Sequence, residues 1–210
     1  MKKYKITIRG INVPIIWNVM KKELQDELKE LKKDEMGEWE IDKKNWSRKA
    51  EFNENGEVII PERWFKSAIV DSCKKNRIVP HYATRKNATY TDYIRSFMIF
   101  NIGKYVCKQD ELEEYGAFVG AQGMNSNTKI WRVRPMISQW EATFEIVDAA
   151  ERIKISELKE IIEFAGMMIG LGDNRINNFG RFELISLVEV KNGEWKIIRK
   201  KGRNSRYGIR

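Results

Sequence analysis

With one histidine, two cysteines and four prolines in 210 residues, the chain lacks the material for several classes of protein. A lone histidine without a cysteine cluster makes a catalytic zinc site or a cysteine protease dyad hard to assemble. Cys73 and Cys107 are far apart in apolar surroundings, which predicts buried free thiols. Asp71, Asp92, Asp110 and Asp173 lack the paired spacing of a metal site, so no metal and no cofactor are expected. No secretory h-region is present, because Met1-Lys2-Lys3 leads directly into the alternating stretch Tyr4 to Arg9, which reads as a strand. No apolar run approaches membrane-spanning length. The expectation is a cytoplasmic protein without a membrane partner.

What the chain does have is positive charge and a glycine-rich segment. Lys and Arg total 39 against 30 Asp and Glu, a net charge of +9. Such a balance favours a polyanionic partner, most often nucleic acid, although a lysine-rich proteome would give the same excess. With 42% hydrophobic and 33% charged residues the chain can fold around one substantial core. Near its C-terminus runs Gly170-Leu171-Gly172-Asp173-Asn174-Arg175-Ile176-Asn177-Asn178-Phe179-Gly180-Arg181-Phe182. A helical pattern enters this stretch and a strand pattern leaves it. Gly170, Gly172 and Gly180 therefore sit where the backbone turns, with N–H groups able to face an anion, and Arg175 and Arg181 add charge. The spacing is neither the dinucleotide fingerprint nor the phosphate loop of nucleotide hydrolases. Simple helix and strand punctuation is the competing reading.

Elsewhere the pattern gives a helix over Asn18 to Lys33 with a narrow apolar stripe, then a charged loop or hairpin from Asp34 to Glu57. A short strand follows, and Pro61 opens an amphipathic helix that buries Phe65, Ala68, Ile69, Ser72 and Cys73. From Asn76 to Lys108, bases including Arg77, Arg85, Lys86 and Arg95 interleave with His81, Tyr82, Tyr90 and Tyr93, a chemistry suited to a nucleic-acid strand. Gly116 to Thr128 reads as an exposed loop. In Lys129-Ile130-Trp131-Arg132-Val133-Arg134-Pro135, Lys129, Arg132 and Arg134 are expected to share one electropositive strand face. A strand over Glu141 to Val147 precedes a helix capped by Ser156, with Leu158, Ile161, Ile162, Ala165, Met168 and Ile169 on its apolar face. Asn192-Gly193 marks a final hairpin, and residues 199–210 form a basic tail. Among the tryptophans, Trp64, Trp131 and Trp140 are assigned to the core.

The order of elements predicts one α+β domain over residues 1–198, of the split βαβ, ferredoxin-like type. Two helices pack on one antiparallel sheet, with insertions at about 18–57 and 76–128. The entry Ile59 to Ala68 and the segment Gly170 to Phe182 resemble the first helix and the glycine-rich loop of the repeat-associated RNA-binding (RAMP) superfamily of CRISPR proteins. Together with Arg132-Val133-Arg134-Pro135 and Trp140-Glu141, they are similar to small phage and plasmid proteins related to the backbone subunit of CRISPR effector complexes. That resemblance implies a ferredoxin-like palm with a thumb hairpin corresponding to Arg77 to Arg95. It also implies single-stranded nucleic acid as partner, RNA favoured, and a homo-oligomer, filament or CRISPR-type complex. By position, Lys129, Arg132, Arg134, Arg175 and Arg181 would contact phosphates, joined by Gly170, Gly172, Gly180, Arg85 and Lys86. No catalytic residue is assigned. Two alternatives stay open: a metal-independent RNA endonuclease using His81 with Tyr82 or Tyr90, and a phage protein that binds or mimics a host CRISPR subunit.

Overall fold

The computed structural model describes residues 1–11, 14–17, 26, 30, 43–85, 88–101, 111–120, 129–191 and 194–199. At its centre is β1 (Lys2–Gly10), which buries Tyr4, Ile6 and Ile8 on one face and turns Lys3, Lys5, Thr7 and Arg9 to the other, the period of two that a half-buried strand requires. On one side β1 pairs antiparallel with β8 (Glu141–Asp148), and on the other with β9 (Phe182–Lys191). Beyond β8 lies β5 (Met98–Asn101), and beyond β9 lies β10 (Glu194–Arg199), giving the order β10-β9-β1-β8-β5. Helix α1 (Glu62–Asn76) follows β1 in the chain, and α3 (Ile155–Phe164) connects β8 to β9. Without β10, this is the ferredoxin-like arrangement expected from the sequence. The turn residues 192–193 and the tail 200–210 lie outside the described residues, as does most of the helix expected over 18–33.

Aromatic packing ties α1 to the sheet. Phe65 of α1 stacks on Phe144 of β8 with ring centroids 4.3 Å apart and meets Phe182 of β9 at 6.2 Å. All three are fully buried, and each such side chain contributes roughly 1.5–3 kcal/mol through the water it releases. Ser72 on α1 donates to the carbonyl of Ile161 on α3 at 2.7 Å, so this buried hydroxyl in the helix–helix seam is satisfied. Cys73 is buried nearby, where desolvation pushes its thiol up to about 12. Cys107 lies outside the described residues.

Several local expectations change. Pro61 is the residue before α1 rather than its first helical residue, with ψ at 137°. The helix α3 begins at Ile155 behind Lys154, and Glu157, not Ser156, takes the free amide at its start, accepting from Lys154 N at 3.0 Å. After Phe164 the helix widens into a π turn, Ala165–Ile169, which shifts the phase of its apolar face. Met168 consequently points to solvent, half exposed, while Ala165 and Ile169 stay buried. Residues 116–120 are not loop but the end of strand β6 (Glu113–Gly120).

Two smaller sheets complete the fold. Strands β3 (Glu51–Phe52) and β4 (Val58–Ile59) close the charged excursion as a hairpin turning at Gly56. The other joins β2 (Ile15–Ile16), β7 (Lys129–Ile137) and β6, with β6 and β7 paired over eight successive positions. This long hairpin is inserted between β5 and β8. The stretch from Arg77 to Arg95 is no hairpin: it includes the first residues of α2 (Thr91–Phe97), and Tyr90 and Tyr93 are buried. The amphipathic spacing of Tyr90, Tyr93 and Ile94 explains why these rings pack inward.

Candidate nucleic-acid interface

The glycine segment is a tightly knit loop. Gly170, Gly172 and Gly180 all have positive φ, between 69° and 77°. At Gly180 the backbone of Leu171 is so close that a Cβ would lie 1.8 Å from its carbonyl oxygen, and at Gly172 a Cβ would lie 2.6 Å from the carbonyl of Ile16. Only glycine meets both demands. Several amides are consumed in holding the loop: Gly170 N donates to Ala165 O, Leu171 N to Gly180 O, Asp173 N to Ile16 O and Gly180 N to Pro14 O, each at 2.9 Å. The expected anion cradle is therefore not supplied by the amides of Gly170 and Gly180. What the loop presents outward is a short 3₁₀ turn, Arg175–Asn177, flanked by Asn174 and Asn178 in the left-handed region, with Ile176 almost fully exposed.

Against this loop lies one face of the β6–β7 hairpin. Tyr115 stands opposite Arg134 and Ala117 opposite Arg132. Tyr115 meets Phe179 of the loop at 5.3 Å, and Arg134 Nη1 lies 2.5 Å from Asp173 Oδ2. Arg134 is buried, and its Nε has no hydrogen-bond partner. Arg132, partly exposed, shares this face farther out along β7. Lys129 pairs with Gly120 at the outer end of β7, and its side chain lies outside the described residues. Midway along the hairpin the buried Lys49 donates from Nζ to the carbonyl of Val133 at 2.6 Å, an anchor with no signal in the sequence.

The remaining arginines of the loop converge beside this face. Arg181 Nη2 reaches Asn178 Oδ1 at 3.1 Å and the carbonyl of Arg175 at 3.4 Å, while its Nη1 is buried without a partner. Burial, with the adjacent Arg175 charge, lowers its guanidinium below the ordinary arginine range. Arg175 Nη1 lies 3.8 Å from Asp71 of α1, a long and exposed pair. The structure thus gathers Arg132, Arg134, Arg175 and Arg181 around the glycine loop. Asp173, Asn178 and the carbonyls that shape it were not legible as partners. On the opposite face of the hairpin Phe118 and Trp131 meet edge to face at 4.9 Å, both exposed, so Trp131 is not a core residue, whereas Trp140 is buried and Trp64 packs partly buried against the core.

Arg85 lies elsewhere. It is exposed in the loop after α1 that carries His81, and that loop docks at the start of α3, away from the glycine loop. Lys86 lies outside the described residues. His81 Nδ1 is 2.9 Å from Glu157 Oε2, and Tyr90 donates to the same oxygen at 2.7 Å. Partial burial works against ionisation of Glu157, but hydrogen bonds from Tyr90, the Lys154 amide and His81 outweigh it and hold the carboxyl below its ordinary range. Desolvation, and then the bond to Glu157, push the Tyr90 hydroxyl far up. Tyr90 is therefore a fixed donor at neutral pH.

Among the described residues no group of three or more His, Cys, Asp or Glu could hold a metal ion, and no helix is long and apolar enough to cross a membrane. No protein-family model matches the sequence, and no curated protein matches it. Over 90% of its length the chain is similar in structure to a chain of Type III-B Cmr-beta bound to cognate target RNA, determined by cryo-EM, with a TM-score of 0.53 and 11% identity. It spans 61% of that chain's length. At this identity the likeness is one of fold.

Proposed function

We propose that the protein binds single-stranded nucleic acid, RNA in preference to DNA, as a RAMP-like module within a CRISPR-type assembly. The observation that carries this reading is the meeting of the β6–β7 hairpin with the glycine loop, which brings four arginines from two distant parts of the chain to one surface. Arg134 packs against Asp173 beneath this surface, while Arg175 and Arg181 stay partly exposed, where a charged acceptor such as a phosphate oxygen can reach them. The fold likeness to a chain of an RNA-bound Cmr complex supports RNA over other polyanions. Contacts to phosphate make binding largely independent of sequence and steeply dependent on salt.

The test is fluorescence anisotropy with labelled single-stranded RNA, single-stranded DNA and duplex DNA across a salt series, with the probes run on a gel afterwards. Tight, salt-sensitive binding to intact single strands supports the reading. Absence of binding at low salt removes it and favours the phage protein that targets a host complex. Cleavage without magnesium, lost in His81→Ala, favours the endonuclease.

A further inference from the structure

At the start of α3, away from the glycine loop, is an open cleft of about 500 Å³ lined by Lys2, His81, Tyr82, Glu151, Arg152 and Lys154. Its volume falls within the range of small-molecule sites. The carboxylates around it are already engaged. Glu151 pairs with the N-terminal ammonium and also feels Lys2, while Glu157, behind His81, accepts from His81, Tyr90 and the Lys154 amide. Among the described residues neither Arg152 nor Lys154 has an ion-pair partner. Arg152 is nonetheless held in place. Its guanidinium lies 5.8 Å from the centroid of the Tyr82 ring, and Tyr82 in turn packs on the buried Tyr90 and Tyr93 at 6.0 and 5.9 Å. An arginine stacked on a ring that is anchored in the core loses little freedom on binding an anion.

We propose that this cleft is a second anion site, taking a phosphate group, either free or as the monoester of a nucleotide, against Arg152 and Lys154. Helix α3 and its π turn separate it from the glycine loop by roughly 20 Å at the rise of a helix, so the site is independent of the nucleic-acid reading above. The molecule supplies its own reporter, because His81 is the only histidine and lines the cleft.

Proton NMR of the His81 ring, on protein carrying no histidine tag, is followed while inorganic phosphate, uridine 5′-monophosphate or uridine is added at constant ionic strength and pH. The expected result is a saturable shift with phosphate or the monophosphate and none with uridine. The double variant Arg152→Gln, Lys154→Gln, both exposed positions, weakens that response about tenfold, as loss of two charged phosphate donors should. Arg175→Glu leaves it unchanged. Equal affinity for the two phosphates identifies a free-anion site, and much tighter binding of the monophosphate identifies a nucleotide site. No saturable shift, an equal response to uridine, or an unaltered response in the folded double variant overturns the proposal.

Discussion

Where the helical run from α3 ends, Arg134 is buried against Asp173 and Arg181 is braced on two acceptors of the glycine loop; at its beginning, Arg152 and Lys154 stand exposed beside carboxylates that other groups already occupy. Both ends are basic, yet the charges are embedded differently. At the glycine loop much of the positive charge is structural, and what faces solvent is the outward part of Arg132, Arg175 and Arg181. At the far end the tyrosine cluster and Glu157 hold the structure together, which leaves the cations to solvent. Net charge alone could not separate these roles, because it counts an arginine that builds a loop the same as one that offers itself.

The glycine loop is least tolerant of change at Gly180. Its φ of 69° and the Leu171 carbonyl 1.8 Å from where a side-chain methyl would stand mean that Gly180→Ala should cost about 3 kcal/mol or more, the range for forced backbone displacement in a packed site. Thermal or urea unfolding would measure it. An alanine variant of near-native stability would show that the loop is far softer than its packing implies. Next in size is Asp173→Ala, which strands the Arg134 guanidinium in a buried site. Removing one partner of such a pair costs on the order of 3 kcal/mol, and the double variant Asp173→Ala, Arg134→Met should recover much of it. If the double variant is as unstable as the single one, the pair is not what Asp173 contributes.

How much of this was visible beforehand differs along the chain in the same way. The sheet, α1 and α3 were legible because period-two and helical apolar patterns report burial directly, as Tyr4, Ile6 and Ile8 or Phe65, Ala68 and Ile69 show. The glycine loop was legible as a loop. Its internal bonding was not, since nothing local says that Pro14 and Ile16, more than 150 residues away, would take its amides. Tyr90 and Tyr93 turn inward where a stacking surface was expected, because an aromatic beside a base reads equally well as a stacking platform or as a small helix facing inward.

A smaller effect sharpens the distinction between structural and presented charge. Arg132→Glu and Arg175→Glu, both on partly exposed side chains, should leave unfolding within about 0.5 kcal/mol of the parent. Each should weaken single-stranded RNA binding about tenfold and reduce the slope of affinity against salt by roughly one ion. Anisotropy across a salt series checks both quantities. Lost affinity with an unchanged salt slope would mean that these arginines act on loop shape and not on phosphate.

The smallest expected effect lies at the other end of α3, and its pH dependence identifies its source. Because the folded protein holds the Glu157 carboxyl below its ordinary value of 4.5, the ionised form stabilises the fold at neutral pH. That contribution is lost as the pH falls from about 4.5 through the lower folded value, where the carboxylate must take up a proton. Glu157→Gln keeps the shape but replaces a charged acceptor for Tyr90, the Lys154 amide and His81 by a neutral one. It should cost on the order of 1 kcal/mol at pH 7, and the difference from the parent should shrink below pH 4.5. Urea unfolding at a series of pH values measures the gap. A gap that persists unchanged in acid would assign the loss to altered packing of the tyrosine cluster, since only the charged acceptor disappears on protonation.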